Sequence, residues 1–476
     1  MQQVIGRDTE KQMLQEILVS REAELLAVYG RRRVGKTFLI RSVYAKELAF
    51  ELTGIHHASL DEQLNNFSQA IGAVAGVGVG KPRDWSEAFA MLQLYLAPLI
   101  KERKRVIFLD EFPWIQTPRS NFLQAFTHFW NVWASRQANL VVVICGSSAS
   151  WMIQQVLKDR GGLHNRVTRR MRLLPFTVSE AAALLHQHGV RLDHYQVMEI
   201  YMAMGGVPQY LKEVKAGESS AQAINRTCFT KDGFLYGEFQ NLFDSLFDNC
   251  HYHKEVIRAL AKKGKGLNRN EIIEACSFTS GGGATQVLEE LTESGFITPY
   301  IPFDRKAKDS IYKLTDEYSL FYTRFIERAK HFDKDAWQRI SDSPSWRSWS
   351  GYAFESICMK HITAIKRALG IEGVYTEVSV WRFAGSKDAQ GVQIDLLIDR
   401  QDRCINLCEI KFANSEFVID KKYAGELDQK VRVFKEQTKT KKTVFPTMIT
   451  SYGTRRNDYY VGRVQAEVVM GDLFKG

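Results

Sequence analysis

The run Gly30-Arg31-Arg32-Arg33-Val34-Gly35-Lys36-Thr37 fits the spacing GxxxxGK[ST]. It follows the apolar segment LLAVY and opens the stretch TFLIRSVYAK, so a strand, a tight turn and a helix succeed one another. That context suits a polyphosphate. Successive backbone N–H groups across Gly30, Arg33, Val34 and Gly35 can wrap a β-phosphate, and the helix N-terminus adds its dipole. Lys36 reaches the β and γ oxygens, and Thr37 holds Mg²⁺. The second half of such a site is an apolar strand ending in an acid, which VIFLDEFPW supplies. Asp110 joins the Mg²⁺ shell and Glu111 orients or deprotonates the attacking water. The next apolar strand, LVVVIC, ends in Gly146-Ser147-Ser148, where the Ser147 hydroxyl can sense a γ-phosphate or merely form a turn. Arg166, in GGLHNRVTRR, is a candidate arginine finger acting on a neighbouring subunit, with a solvated basic face as the competing reading.

A second set of reactive side chains lies near the other end. Asp395 interrupts the apolar alternation of GVQIDLLIDR, and Glu409 and Lys411 follow in INLCEIKF. Glu409 and Lys411 are two apart, so on a strand they project from one face. Asp395 and Glu409 on neighbouring strands can share one or two Mg²⁺ ions, while Lys411 activates water or stabilises a pentacovalent phosphate. Upstream, GYAFESICMKHI is a helix that carries Glu355 among apolar and aromatic residues, where solvation alone does not explain an acid. Gln429 and Lys430 in LDQKVRVF extend the set on a following helix or lie on its solvated face. The bland alternative is a solvated strand, on which Glu-x-Lys is frequent.

These groups need scaffolds, and hydropathy patterning supplies them in order. Over residues 1–175, amphipathic stretches alternate with continuous apolar runs at Leu25 to Tyr29, Val106 to Leu109 and Leu140 to Cys145, as strands buried on both faces of a parallel sheet require. Residues 176–250 read as helices forming a lid. Residues 251–330 read as helix, turn, helix, turn and a strand pair, the order of a winged helix, with Asp304 to Asp309 as the wing tip. Its helix ATQVLEELTESG carries Glu289, Glu290 and Glu293, which favours packing over phosphate contact even though Arg305, Lys306 and Lys308 decorate the wing. A polar, Trp-containing connector occupies 331–349, and a helix opens at about Tyr352. Strands follow around Val374 to Trp381, Val392 to Ile398 and Ile405 to Phe412, giving a second α/β domain over 350–476. The fold class is multidomain α/β.

Composition narrows the partners. The 476 residues are 45% hydrophobic and 25% charged, proportions of a folded protein rather than a disordered one. With 64 Lys plus Arg against 54 Asp plus Glu, the net charge of +10 favours a polyanionic partner or, less specifically, a soluble basic surface. QTKTKKT and Arg455-Arg456 add positive charge near the C-terminal acids. The seven cysteines are scattered without a CxxC pair, and His186, His188, His251 and His253 lack zinc spacing. With neither a leader-like segment nor an apolar run long enough to span a bilayer, the expectation is a cytoplasmic protein without a membrane partner.

IGRDTEK, GRRRVGKT, FLDEF, the GSS strand end, HNR and GGVPQYL together resemble the archaeal-type P-loop ATPases of the STAND and AAA+ assemblage over about residues 1–330. The resemblance implies ATP with Mg²⁺ as cofactors, a homo-oligomer, and Gly6, Arg7 and Pro208 flanking the adenine. Residues 350–476 resemble the PD-(D/E)XK nuclease fold, with Ile394 where the name-giving proline would stand. This second resemblance implies that Glu355, Asp395 and Glu409 bind Mg²⁺ or Mn²⁺, that Lys411 is catalytic, and that the substrate is nucleic acid, DNA ahead of RNA. The expected function is an ATPase controlling a metal-dependent nuclease, with a role in defence against foreign nucleic acid implied by the family type. Two other readings stay open: a nucleotide-dependent DNA-binding regulator or scaffold with an inert nuclease fold, and a chaperone-like motor acting on protein.

Overall fold

The computed structural model describes residues 4–157, 163, 165–247, 249–279, 281–329, 335–385 and 391–475. The chain divides into two compact units, one comprising Met1–Leu174 with Ser245–Asp248 and the other Pro175–Asp244 with Asn249–Gly476.

The first unit is built on five strands: β1 (Glu24–Tyr29), β2 (Leu48–Thr53), β3 (Arg105–Asp110), β4 (Leu140–Gly146) and β5 (Arg169–Arg172). They form one parallel sheet in the order β2-β3-β4-β1-β5. Alternation along the central strands builds two cores at once. Leu25 and Ala27, Ile107 and Leu109, and Val142 and Ile144 face helices Leu60–Ala75, Trp85–Glu102 and Phe122–Val132. Leu26 and Val28, Val106 and Phe108, and Val141 and Val143 face helices Asp8–Val19 and Lys36–Val43. A parallel sheet covered on both sides needs such uninterrupted apolar strands. The loops after β1, β3 and β4 therefore emerge at the same, carboxyl, edge, where ligands of open α/β sheets bind.

The second unit starts with helices Val178–Gln187, His194–Met204, Pro208–Leu211 and Ser220–Cys228. After helix His251–Lys262 come β6 (Leu267–Asn268), helices Arg269–Ala275 and Gly281–Glu293, and the antiparallel strands β7 (Ile297–Tyr300) and β8 (Ile311–Leu314), forming a sheet ordered β6-β8-β7. Phe325, Trp337, Trp346 and Trp349 then pack ring on ring. That cluster explains a difference from expectation. The helix expected to open at about Tyr352 instead spans Pro344–Lys360, because Ser343 caps it, Pro344 suits its first turn, and Trp346 and Trp349 have a core to enter.

Five further strands close the unit: β9 (Thr376–Phe383), β10 (Val392–Arg400), β11 (Cys404–Lys411), β12 (Thr443–Thr450) and β13 (Ala466–Val469). The sheet runs β13-β12-β11-β10-β9, antiparallel from β9 to β11 and parallel from β11 to β13, and helix Lys421–Thr438 makes the crossover between β11 and β12. The β9–β10 register shifts between Ile394 and Leu397, a bulge that flanks Asp395.

Candidate functional sites

In the first unit, β1 delivers the chain into a turn that only particular residues can make. Gly30 has φ 141°, and a Cβ there would lie 2.3 Å from the Leu173 carbonyl oxygen. Gly35 has φ 94° and faces open space, so its backbone is accessible to a ligand. Between them Arg33 adopts φ 70° and Val34 is buried. The Lys36 ammonium donates to the carbonyls of Gly30 and Arg31 at 2.9 and 3.0 Å. Thr37 donates its hydroxyl hydrogen bond to Asp110 Oδ2 at 2.7 Å, bringing the two hard oxygen donors together. Asp110 Oδ1 accepts from the Glu111 N–H at 3.0 Å.

Glu111 sits in left-handed backbone, φ 45°, at the head of helix Phe112–Ile115. A non-glycine residue there is under strain of about 1 kcal/mol, a pattern found where a side chain is aimed for function. The aim is toward Ser147, whose hydroxyl and N–H both donate to Glu111 Oε2, at 2.8 and 3.2 Å. Beside the loop, Gly6 and Arg7 both have positive φ, and the buried Arg7 guanidinium donates to the carbonyls of Leu174 at 2.6 Å and Val34 at 3.4 Å. Arg166 is exposed, while His164, just before it in the HNR motif, lies outside the described residues. Pro208 belongs to the second unit, where it opens helix Pro208–Leu211. There a Cβ on Gly206 would collide with the Phe176 carbonyl at 1.9 Å.

In the second unit, helix Pro344–Lys360 supplies Glu355, β10 supplies Asp395 at its bulge, and β11 supplies Glu409 and Lys411. Asp395 Oδ2 accepts the Ile410 N–H at 3.2 Å. Glu409 is fully buried. Lys430 pairs with its Oε1 at 2.6 Å, Tyr423 donates to Oε2 at 3.1 Å, and Lys411 stands 3.8 Å from Oε2. Burial, then the charge of Asp395, raises the Glu409 carboxyl above its ordinary range, with Lys430 and Lys411 opposing. The same two causes push Glu355 up to about 8 against the pull of Lys313 and Lys411.

Lys313, on β8, escaped the sequence reading. Burial lowers its ammonium while Glu355 and Asp395 act to keep it charged, and its Nζ lies 3.9 Å from the Met359 sulfur on the Glu355 helix. Tyr423 was missed as well. Lys430 keeps the position suggested for it, on the helix following β11. The donors are hard oxygens, which suit Mg²⁺ or Mn²⁺. Among the described residues, however, no three His, Cys, Asp or Glu side chains are gathered into a group able to hold an ion. All seven cysteines are free thiols, and no helix among the described residues is long and apolar enough to cross a membrane.

A sandwiched parallel sheet with a glycine-rich loop, an invading lysine and a Thr–Asp pair at its carboxyl edge defines a P-loop ATPase domain. Residues 5–214 match the family model described as an ATPase domain predominantly from Archaea, and the match extends through Pro208. An uncharacterized protein of Methanocaldococcus jannaschii is 24% identical over 413 residues, covering 86% of this chain and 87% of that one. Among solved structures, the Walker-type ATPase of Pyrococcus abyssi aligns with TM-score 0.49 and 17% identity over 67% of this chain and 96% of that one. The Aeropyrum pernix ORC2 protein aligns with TM-score 0.40 and 14% identity over 72% and 96%.

Proposed function

We propose that this chain is an ATPase whose nucleotide state controls a metal-dependent nuclease acting on DNA or RNA phosphodiesters. The observation that carries the nuclease half is the placement of Asp395 and Glu409 on the adjacent strands β10 and β11, with Asp395 Oδ2 on the Ile410 N–H, Lys411 3.8 Å from Glu409 Oε2, and the helix that carries Glu355 packed on β11. The order helix, three antiparallel strands, crossover helix and parallel strand supports the likeness of residues 350–476 to the PD-(D/E)XK fold.

In the ATPase half, Lys36 leaves its two carbonyls for phosphate oxygens, and Thr37 and Asp110 are placed to hold Mg²⁺. Glu111, steered by Ser147, orients the attacking water. Arg166 supplies transition-state charge to a neighbouring subunit of a homo-oligomer, and Gly6 and Arg7 border the adenine. In the nuclease half, a divalent ion, Mg²⁺ or Mn²⁺, would supply Lewis-acid activation of water and charge neutralisation. Asp395, Glu409 and Glu355 would hold that ion once Glu409 leaves Lys430 and Tyr423 and the three acids draw together, and Lys411 would stabilise the charge developing on the phosphate. DNA is the preferred substrate over RNA.

A second reading is a nucleotide-dependent DNA-binding regulator with an inert nuclease fold. The closed state of the acids favours it, since Glu409 is turned onto Lys430 and Tyr423. The two readings part in one experiment: the purified chain with Mg²⁺ or Mn²⁺ on single- and double-stranded DNA and RNA, beside Asp395→Asn. Cleavage by wild type that the variant loses, with ATP binding intact, is the expected result. Ion-independent cleavage, or none on any substrate with or without ATP, overturns the nuclease.

A further inference from the structure

The turn between β7 and β8 is bound directly to the C-terminal sheet. The Phe303 N–H donates to the Val380 carbonyl on edge strand β9 at 3.0 Å, and the Phe303 ring packs 5.3 Å from Phe434 against the cluster that contains Trp381 and Leu397. The three-stranded module is thus seated on the sheet that carries Asp395. Beside this anchor lies a cleft of about 610 Å³, walled by β6 and β8, by the turn 302–309, and by β9 and β10.

Six basic side chains line the cleft, Lys265, Arg269, Arg305, Lys308, Lys313 and Arg382, against two acidic ones. Both acids are already turned onto backbone. Glu271 accepts the Asn268 N–H at 2.7 Å, and Asp309 accepts the Lys306 N–H at 3.2 Å. Arg269 is held by the Gly281 carbonyl and the Thr285 hydroxyl. Lys265, Arg305, Lys308 and Arg382 enter no ion pair among the described residues. On a convex surface such charges would simply be solvated. A concave wall of one sign focuses the field and concentrates an anion instead.

The cleft also has a direction. Its lining includes Gln393 and Ile394, the residues directly before Asp395, and Lys313, whose Nζ is near Met359 one turn beyond Glu355. Exposed cations therefore lead inward to a lysine beside the carboxylates. The volume falls within the range of about 300–1,000 Å³ typical of pockets for single small ligands, the scale of a short piece of one strand.

We infer that this cleft binds a single-stranded nucleic acid segment through its phosphates and leads one phosphodiester to Asp395. The binding rests on the cleft alone, whereas its purpose rests on the nuclease reading above. Each phosphate contact to a single strand contributes about −0.7 to the slope of log affinity against log salt. Anisotropy with the full chain in EDTA, using labelled single-stranded DNA, single-stranded RNA and duplex DNA, measures this without cleavage. The combined variant Arg305→Glu, Lys308→Glu, Arg382→Glu is expected to bind single strands at least tenfold more weakly, with the salt slope shallower by about 2. The DNA and RNA arms identify which strand the cleft takes.

Affinity unchanged within twofold, tighter binding of duplex than of single strands, or no binding by wild type overturns the inference. If the reversed variant does not fold, the glutamine substitutions Arg305→Gln, Lys308→Gln and Arg382→Gln replace it, with the same salt slope expected. Binding that depends on the cleft in a wild type that never cuts leaves the cleft standing and sinks the nuclease. Cutting that survives with binding unaffected in the variant sinks the cleft and leaves the nuclease.

Discussion

Lys36 and Lys430 are both lysines that reach a buried neighbour, but the neighbours differ in charge. Lys36 rests on two neutral carbonyls of its own loop, so its charge stays available to an incoming anion. Lys430 rests on the Glu409 carboxylate, which is thereby spent on an internal partner. Around them the contrast continues: Thr37 and Asp110 already touch, while burial and the charge of Asp395 raise the Glu355 carboxyl, with Lys313 and Lys411 as counter-ions. A site made from one loop and adjacent strand ends is assembled before its ligand arrives. A site made from a helix, two strands and a distant hairpin instead has its acids balanced by lysines of its own.

The largest expected effects are at the assembled site. Lys36→Ala should weaken ATP binding by more than about 100-fold in calorimetry, since it removes the ammonium that the loop holds on its own carbonyls for the phosphates. Glu111→Gln should bind ATP normally but turn over about 10²–10⁴-fold more slowly. Unchanged ATP affinity in the Lys36 variant would break the assignment. Next comes the self-neutralised site. Lys430→Met strands the buried Glu409 and should cost about 3 kcal/mol in denaturant unfolding near neutral pH. If Glu409 is an ion ligand, added Mn²⁺ should restore more stability to this variant than to wild type.

A smaller effect belongs to His361. Its Nδ1 donates to the Ile357 carbonyl at 2.8 Å and its Nε2 accepts the Val178 N–H at 3.0 Å, an arrangement only the neutral ring can make. Burial lowers it to about 4, well below its ordinary 6.5. The unfolded chain therefore takes up a proton that the folded one refuses. The stabilisation is whole above about pH 6.5 and is lost as pH falls toward 4, by about 2 kcal/mol between pH 7 and pH 5. His361→Gln should remove most of that slope in paired urea titrations, and an unaltered slope would assign it elsewhere.

How legible each region was follows from how it is built. The phosphate loop is eight consecutive residues whose geometry is local, and Glu409 and Lys411 share a face by strand alternation alone. Lys313 was invisible because nothing near it in sequence is acidic in the right way; only the packing of β8 against helix Pro344–Lys360 gives it Glu355 as a neighbour. β2 and β5 were passed over for a related reason. Leu48–Thr53 carries Glu51, and Arg169–Arg172 is three-quarters arginine, so neither edge strand shows the apolar run that marks the centre of the sheet. The bulge at Asp395 likewise left no mark in sequence, being a matter of pairing with β9.

The central claim is that the assembled site governs the balanced one. The direct measurement is the initial rate of Mg²⁺- or Mn²⁺-dependent cleavage by wild type and by Lys36→Ala across a series of ATP concentrations, at matched oligomeric state. The account predicts wild-type rates that change with ATP by about fivefold or more, corresponding to at least about 1 kcal/mol of coupling, and Lys36→Ala rates that do not respond. Rates equal within twofold for both proteins at every ATP concentration would mean less than about 0.5 kcal/mol of coupling, and would contradict it.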